Sequence, residues 1–380
     1  MSGSRAYMDA NATQPLHPAA RAAMVRVFEE GALNASAQHA EGRRARAIVE
    51  EARATLARLL DCDAREIVFT ASGSEADNMA VKGAETRAHI VSPLEHPAVA
   101  RAAAATGRPV MTVAVDENGV IDLSALETVL KEAPKPAQVC LMLASHETGA
   151  IQPVRETAEL AHAHGAIVHC DAVQAAGRVP VSFRSLGVDT LAISAHKFGG
   201  PQGTGALIVR EGLTIAPLVH GGGQEWRRRA GTENVAGIAG MAAALDAAVA
   251  EMAEKAARLN RLRAILEAGL KEMAPRVRIF SEGAERAPGV TLFAMPGLDA
   301  DMARIALDLE GFAVSRGAAC ASGKVEPSAA LVAMGVPEGL ARNALRVSLG
   351  EWNTEEEVRG LLTALKKLFA QARSVAEAAA

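Results

Sequence analysis

Lys197 follows the short apolar run Thr190-Leu191-Ala192-Ile193, inside Ser194-Ala195-His196-Lys197-Phe198-Gly199-Gly200. Asp171 closes an earlier run, in Val168-His169-Cys170-Asp171-Ala172-Val173-Gln174. A lysine placed where a strand stops can form a Schiff base with pyridoxal 5′-phosphate. An aspartate at the end of a neighbouring strand can keep the pyridine nitrogen of that group protonated, so that the ring draws electrons. Each residue alone has a plainer reading, an exposed loop lysine and a cap for a helix near Ala172. The pairing is what points to chemistry.

Other residues group around that pair. Ile67-Val68-Phe69-Thr70-Ala71-Ser72-Gly73-Ser74-Glu75 reads as strand, small-residue turn and helix start. Free N–H groups at a helix start suit a phosphate, with Gly73 allowing close approach and Ser74 adding a hydroxyl. Ser72 with Glu75 is equally a capping box. His96, in Leu94-Glu95-His96-Pro97, can stack on a planar ring and move protons, or sit solvated in its loop. Gln174 can donate to a bound group or face solvent. Arg346 lies inside an apolar strand, so its guanidinium needs a carboxylate, either a structural Asp or Glu or that of an amino-acid substrate.

Of the four cysteines, Cys62, Cys140 and Cys170 lie in or beside apolar segments and read as small buried residues. Cys320 sits among small residues with Arg316 and Lys324 nearby, a setting for either a reactive thiolate or an inert loop thiol. No Cys-x-x-Cys spacing suggests zinc or a disulfide framework. Aromatic residues make up 3% of the chain, too few for a base-stacking platform. The net charge is −4 and mixed along the sequence, which gives no footprint for nucleic acid or membrane. The opening Met1-Ser2-Gly3-Ser4-Arg5 is not a signal peptide, and a cytoplasmic setting is expected.

The elements that must hold these residues are legible as alternation. From Ile67 to Val209, seven short β-branched runs alternate with Ala-rich helical stretches, as in a mostly parallel sheet flanked by helices. Residues 15–60 read as two helices broken at Gly31-Ala32-Leu33-Asn34-Ala35-Ser36. A long helical run from about Val235 to Met273 is expected to bridge two domains. Beyond Pro275 the pattern turns α+β. The 380 residues therefore divide into a large domain, 15–250, and a small one formed by 1–14 with 251–380.

In chain order these motifs resemble the cysteine desulfurase family, in the class V aminotransferase group of fold type I pyridoxal phosphate enzymes. The resemblance runs from Tyr7-Met8-Asp9-Ala10-Asn11-Ala12-Thr13 through Asn34-Ala35-Ser36 and Phe69 to Asn78. It continues through Glu95-His96, Glu147-Thr148-Gly149, Asp171 to Gln174 and Ser194 to Lys197. His220 to Glu225, Gly231-Thr232-Glu233-Asn234, Ser315 to Ser322 and Arg346 to Gly350 complete it.

That resemblance implies conversion of L-cysteine to L-alanine, with Lys197 holding the cofactor and moving the Cα proton. Asp171 would face the pyridine nitrogen and His96 the ring. Gly73, Ser74, Ser194 and His196 would bind the phosphate, while Gln174 would reach the phenolic oxygen. Arg346 and Asn34 would bind the substrate, and Cys320 would accept the sulfur as a persulfide. Thr232 would reach the phosphate of the other subunit, which implies a homodimer. A sulfur-acceptor protein is the further partner, in iron–sulfur cluster assembly, tRNA thiolation or another pathway. The family usually has two asparagines where this chain has Ser145-His146, so His146 is expected to take over a contact to the phenolic oxygen. Gln14, Ala35 and Arg316 also depart from the usual residues. Selenocysteine lyase, aminotransferase, or a weakly active sulfur-relay protein are the alternative readings.

Overall fold

The computed structural model describes residues 5–317 and 327–379. Its centre is a seven-stranded sheet in the spatial order Ile67–Thr70, Gly205–Val209, Thr190–Ser194, Ile167–Asp171, Ala137–Cys140, Ala88–Val91, Val110–Thr112. Gly205–Val209 pairs antiparallel with both of its neighbours, and the other strands share one direction. The five strands that lie inside the sheet edges are buried almost throughout, their few polar side chains included, because helices cover both faces. The expected seven-stranded, mostly parallel sheet is therefore present.

Parallel strands end on one edge of a sheet, and the loops leaving that edge form the usual cleft of such folds. Asp171 and Ser194 are the last residues of their strands, and Ser72–Ser74 follows Thr70 directly. Leu141 and Leu143 extend the pairing of Ala137–Cys140 by donating to His169 O and Asp171 O. Chain direction alone thus brings Asp171, Ser194 and the Gly73 turn to one edge.

A second sheet orders Ser315–Arg316, Ala344–Ser348, Val290–Ala294 and Arg278–Ile279, all antiparallel. It has its own core, including Leu262, Leu266, Phe293, Leu345, Val347, Leu361 and Leu365. The N-terminal Ala6–Tyr7 pairs with Phe312–Ala313 beside this sheet, and Asp9 bridges to Ser348. The chain then crosses to the large sheet before the Pro18–Glu29 helix begins, capped by His17, whose Nδ1 accepts the Ala19 N–H.

The long helical run is two helices, Val235–Ala250 and Met252–Met273, bent by 68°. Neither Pro nor Gly stands at the break. The first helix is buried on most of its faces in the large core, whereas the second turns Leu262, Leu266 and Leu270 to the small one. Two cores with different directions bend the chain where its allegiance changes. Among the described residues no single helix is long and apolar enough to cross a membrane.

Candidate active site

A cavity of about 250 Å³ opens at the carboxyl edge of the large sheet. Its lining includes Gly73, Ser74, His96, His146, Asp171, Gln174, Ser194, His196 and Lys197. At one end Ser72 caps the Gly73–Gly83 helix by accepting the Glu75 N–H at 3.1 Å. The cap uses the Ser72 hydroxyl and leaves Ser74 facing the cavity, while Glu75 accepts the Ala71 N–H at 2.8 Å instead of that of Ser72, so the expected capping box is only half made. Gly73 is obligatory on packing grounds. A Cβ there would lie 2.7 Å from Val173 Cγ2 and 3.2 Å from Ser194 Cβ. Gly205 is pressed in the same way, its would-be Cβ 2.6 Å from the Ser72 carbonyl carbon. The helix start is therefore clamped against the two loops that bear Asp171 and Lys197.

The floor is acidic and dry. Asp171 accepts the Val173 N–H at 2.8 Å, and the residues after it form turns rather than the expected helix. Burial, with the charge of Asp77 beside it, pushes the Asp171 carboxyl up to about 7. Asp77 is 1% exposed, and burial raises it to about 8. It meets His169 Nε2 at 3.2 Å, and His169 Nδ1 contacts Thr190 Oγ1 at 2.9 Å. Burial keeps that imidazole neutral, down to about 4. Glu95 receives the Met142 N–H at 2.6 Å; burial and the neighbouring acids raise it well above the carboxylate range. Three carboxyl groups crowded out of water favour an incoming positive charge, such as a protonated pyridine nitrogen.

Lys197 stands across the cavity on a 3-10 turn, Ala195–Lys197, which directly follows its strand. Its amine donates to Asn11 O at 2.6 Å and Ala12 O at 2.9 Å. Burial, then the cations Arg178 and Arg346, bring it down to about 8. Gln14 donates to the Lys197 carbonyl at 2.6 Å, so this departure from the usual residue clamps the lysine backbone. His196 meets Thr13 Oγ1 at 3.1 Å and is held neutral by burial and by Lys197, down to about 4.

His96 caps its helix with Nδ1, which accepts the Ala98 N–H at 3.1 Å. That bond assigns the proton of the neutral ring to Nε2. Burial and the Lys197 charge lower its basicity. His146 packs edge-on against His96, ring centres 5.4 Å apart. Burial, then His96, Arg346 and Lys197, push it down to about 3, so its 3.8 Å approach to Glu147 is not an ion pair. His146 Nδ1 and Gln174 Oε1 are buried without a partner among the described residues. Polar atoms left open over a cavity with a lysine, an acidic floor and a helix start fit the polar substituents of pyridoxal 5′-phosphate.

Arg346 has a structural partner, Asp9, at 2.8 Å, and also donates to His146 O at 2.8 Å. Its buried Nε has no partner among the described residues. The adjacent Ser315–Arg316 strand leads into the Cys320 segment, and Cys320 itself lies outside the described residues. The segment leaves at Gly317, whose N–H bonds Ala344 O, and returns at Ser328, whose hydroxyl donates to Glu147 at 2.6 Å. Cys62, Cys140 and Cys170 are buried, and burial raises all three thiols, Cys62 to about 12.

The sequence profile of the family described as aminotransferase class-V matches residues 6–361. A cysteine desulfurase of Cereibacter sphaeroides is 40% identical, the match covering 98% of this chain and 97% of that protein. The chain is a member of the cysteine desulfurase family. An IscS-like cysteine desulfurase of Mycobacterium tuberculosis is 38% identical over 99% of each chain. Among solved structures, a NifS-like protein from Rickettsia africae superposes with a TM-score of 0.90 at 32% identity, covering 96% of this chain and 99% of that one. SspA, solved in complex with cysteine, gives a TM-score of 0.78 at 26% identity, covering 92% of this chain and 100% of that one. Membership brings dependence on pyridoxal phosphate and the fold type I architecture.

In this family member the cavity collects Gly73, Ser74, His96, His146, Asp171, Gln174, Ser194, His196 and Lys197, and among the described candidates its lining does not include Arg346, Thr232 or Asn34. Thr232 is exposed and lines a separate cavity of about 120 Å³ with Arg229 and Asn234. Asn34 is exposed in a turn, its Oδ1 accepting the Ser36 N–H. Sequence reasoning did not single out Asp9, Asn11, Asp77, Glu95 or Arg178 as individual site residues. Asp77 carried a signal, an acid on the face of a short helix that also buries Met79 and Ala80. Asn11 lay inside the opening motif, and Arg178 carried none.

Proposed function

We infer that this chain is a pyridoxal phosphate-dependent L-cysteine desulfurase. The observation that carries the reading is the shared cavity, in which the Lys197 amine faces an acidic floor and the clamped turn at Gly73. Bound there, the cofactor supplies an electrophilic carbon and an electron-withdrawing ring. Lys197 would hold it and carry the Cα proton, and Asp171 would keep a proton on the ring nitrogen. His96 would cover the ring with its Nε2–H. Ser74, Ser194, His196 and the first N–H groups of the Gly73–Gly83 helix would take the phosphate. Gln174 and His146 would contact the phenolic oxygen.

The Nε of Arg346, without a partner among the described residues, would be the donor for the substrate carboxylate, with Asn34 as a second contact. The Cys320 thiolate takes the sulfur. The carbon–sulfur bond of cysteine breaks, a sulfur–sulfur bond forms, and the products are L-alanine and a Cys320 persulfide. Thr232, exposed in one chain, would complete the phosphate site of a second copy in a cytoplasmic homodimer. The 15–250 unit holds the cofactor, and the 251–380 unit with residues 1–14 brings the cysteine segment. The persulfide passes to an acceptor protein such as an iron–sulfur scaffold.

Alanine release from L-cysteine, followed side by side in wild type, Cys320→Ala and His146→Asn, tests this reading. Wild type forms alanine and Cys320→Ala loses it, whereas a transaminase would survive that change. A protein loaded with cofactor that forms no alanine rejects the proposal.

A further inference from the structure

Behind Lys197, on the side away from the cavity floor, the polar groups converge on Asn11. It is 2% exposed, and each of its polar groups is engaged. Its N–H donates to Ser348 Oγ at 2.9 Å, and its Nδ2 donates to His146 O at 3.1 Å. Its backbone oxygen accepts from Lys197 Nζ at 2.6 Å and from Gln174 Nε2 at 3.0 Å. Its Oδ1 accepts from the Arg178 guanidinium, which also donates to Ala10 O at 2.8 Å. One residue therefore ties the cofactor lysine to both sheets.

Arg178 lacks what the other guanidinium of this cluster has, since Arg346 is paired with Asp9. Arg178 has two neutral oxygens, and among the described residues no carboxylate lies within ion-pair distance of it. A desolvated cation without an acid is costly, and the cost shows as a pKa pushed down to about 10 by burial and by Arg346. A charge kept unneutralised beside a nucleophilic amine acts on that amine.

The hydrogen bonds at Lys197 point the same way. A neutral amine has two N–H bonds, and the carbonyls of Asn11 and Ala12 accept two. The lone pair is then left free. We propose that Arg178 and Asn11 prime Lys197. The guanidinium, held in place by the Asn11 side chain, disfavours a third proton on the amine, while the Asn11 and Ala12 carbonyls orient its lone pair for attack on an aldehyde.

Arg178 is in this account a positioning residue, acting through Lys197 without touching substrate. Of the charges facing the amine, Arg346 works in the same direction, and Asp171 and Asp9 oppose it. His96 and His196 also face it but stay uncharged, since burial and Lys197 lower both. The inference rests on the reading of Lys197 as the cofactor anchor.

Trace labelling with acetic anhydride between about pH 6 and 11, read by mass spectrometry on the peptide bearing Lys197, measures the free-amine fraction in cofactor-stripped protein. Arg178→Met should raise the Lys197 midpoint by about one unit, a tenfold loss of free amine near neutrality. Arg178→Lys keeps the charge and should leave the midpoint in place. Arg178→Gln, which removes the charge while keeping a donor for Asn11, should raise it as well, and decides the matter if Arg178→Met does not fold. A midpoint unmoved in Arg178→Met or in Arg178→Gln overturns the proposal, and so does an Arg178→Lys midpoint as high as that of Arg178→Met. Wild type that takes up no pyridoxal 5′-phosphate at Lys197 sinks the desulfurase reading instead, and the labelling midpoint still decides this one.

Discussion

The floor of the cavity and its rim carry opposite charge under the same burial. On the floor, Asp77, Glu95 and Asp171 crowd three carboxyl groups together, and all three are pushed toward neutrality. At the rim Lys197 lines the cavity and feels the charges of Arg178 and Arg346 from outside the lining, and Lys197 and Arg178 lose basicity. Like charges packed together resist ionisation, so each end is prepared for a ligand group of the other sign. A pyridinium suits the acids, and a carboxylate or phenolate oxygen suits the cations. The difference teaches how one cavity holds a dipolar reaction: the charge pattern precedes the ligand and orients it.

The comparison breaks most completely at Lys197. Lys197→Ala removes both the attachment point and the proton carrier, and alanine formation should fall by about ten-thousand-fold. Borohydride treatment should then tag no residue at 197. On the floor, Asp171→Asn should cost about a hundred-fold in turnover, because the ring nitrogen loses the carboxylate that holds its proton.

The same Asp171→Asn change should have the opposite effect on stability. The Asp171 carboxyl titrates near 7 in the folded chain against 3.8 ordinarily, so between those values the unfolded state has already released its proton. Stability from this group therefore falls as pH rises from about 4 to about 7. Denaturant titration of the cofactor-free protein at pH 8 should find Asp171→Asn more stable by about 1 kcal/mol or more, the advantage vanishing below about pH 4.

At the rim, Arg346→Met should raise KM for cysteine by about tenfold or more, since the Nε donor disappears and Asp9 loses its partner. The smallest effect is expected where the two ends meet. Gly73→Ala forces a methyl group toward Val173 and should destabilise by about 1–3 kcal/mol while speeding cofactor release, followed by absorbance.

What was legible in the chain was whatever local pattern reports. Asp171 and Lys197 stood out because each ends a β-branched run, and parallel strands carry their ends to one edge. Gly73 stood out because a strand, a small-residue turn and a capped helix follow in immediate succession. The helical run around Glu251 misled because helix propensity is continuous across it, and its bend comes from two cores competing for one stretch. Thr232 and Asn34 illustrate a different limit. Their motifs are clear in sequence, yet in one chain both remain at the surface, away from the cavity.

The amino-acid order by itself determined the alternation of strands and helices, and with it which side chains emerge at the carboxyl edge. Periodicity reports which faces seek burial, and that suffices to place a lysine, an aspartate and a glycine turn near one another. Only the tertiary structure decided which charges meet: that Arg346 is paired with Asp9, that Arg178 is left with neutral oxygens, and that Asn11 joins both sheets. The reason is physical. Ion pairing depends on distances of a few ångströms between residues hundreds of positions apart, and those distances exist only after two cores have packed against the segment that crosses between them.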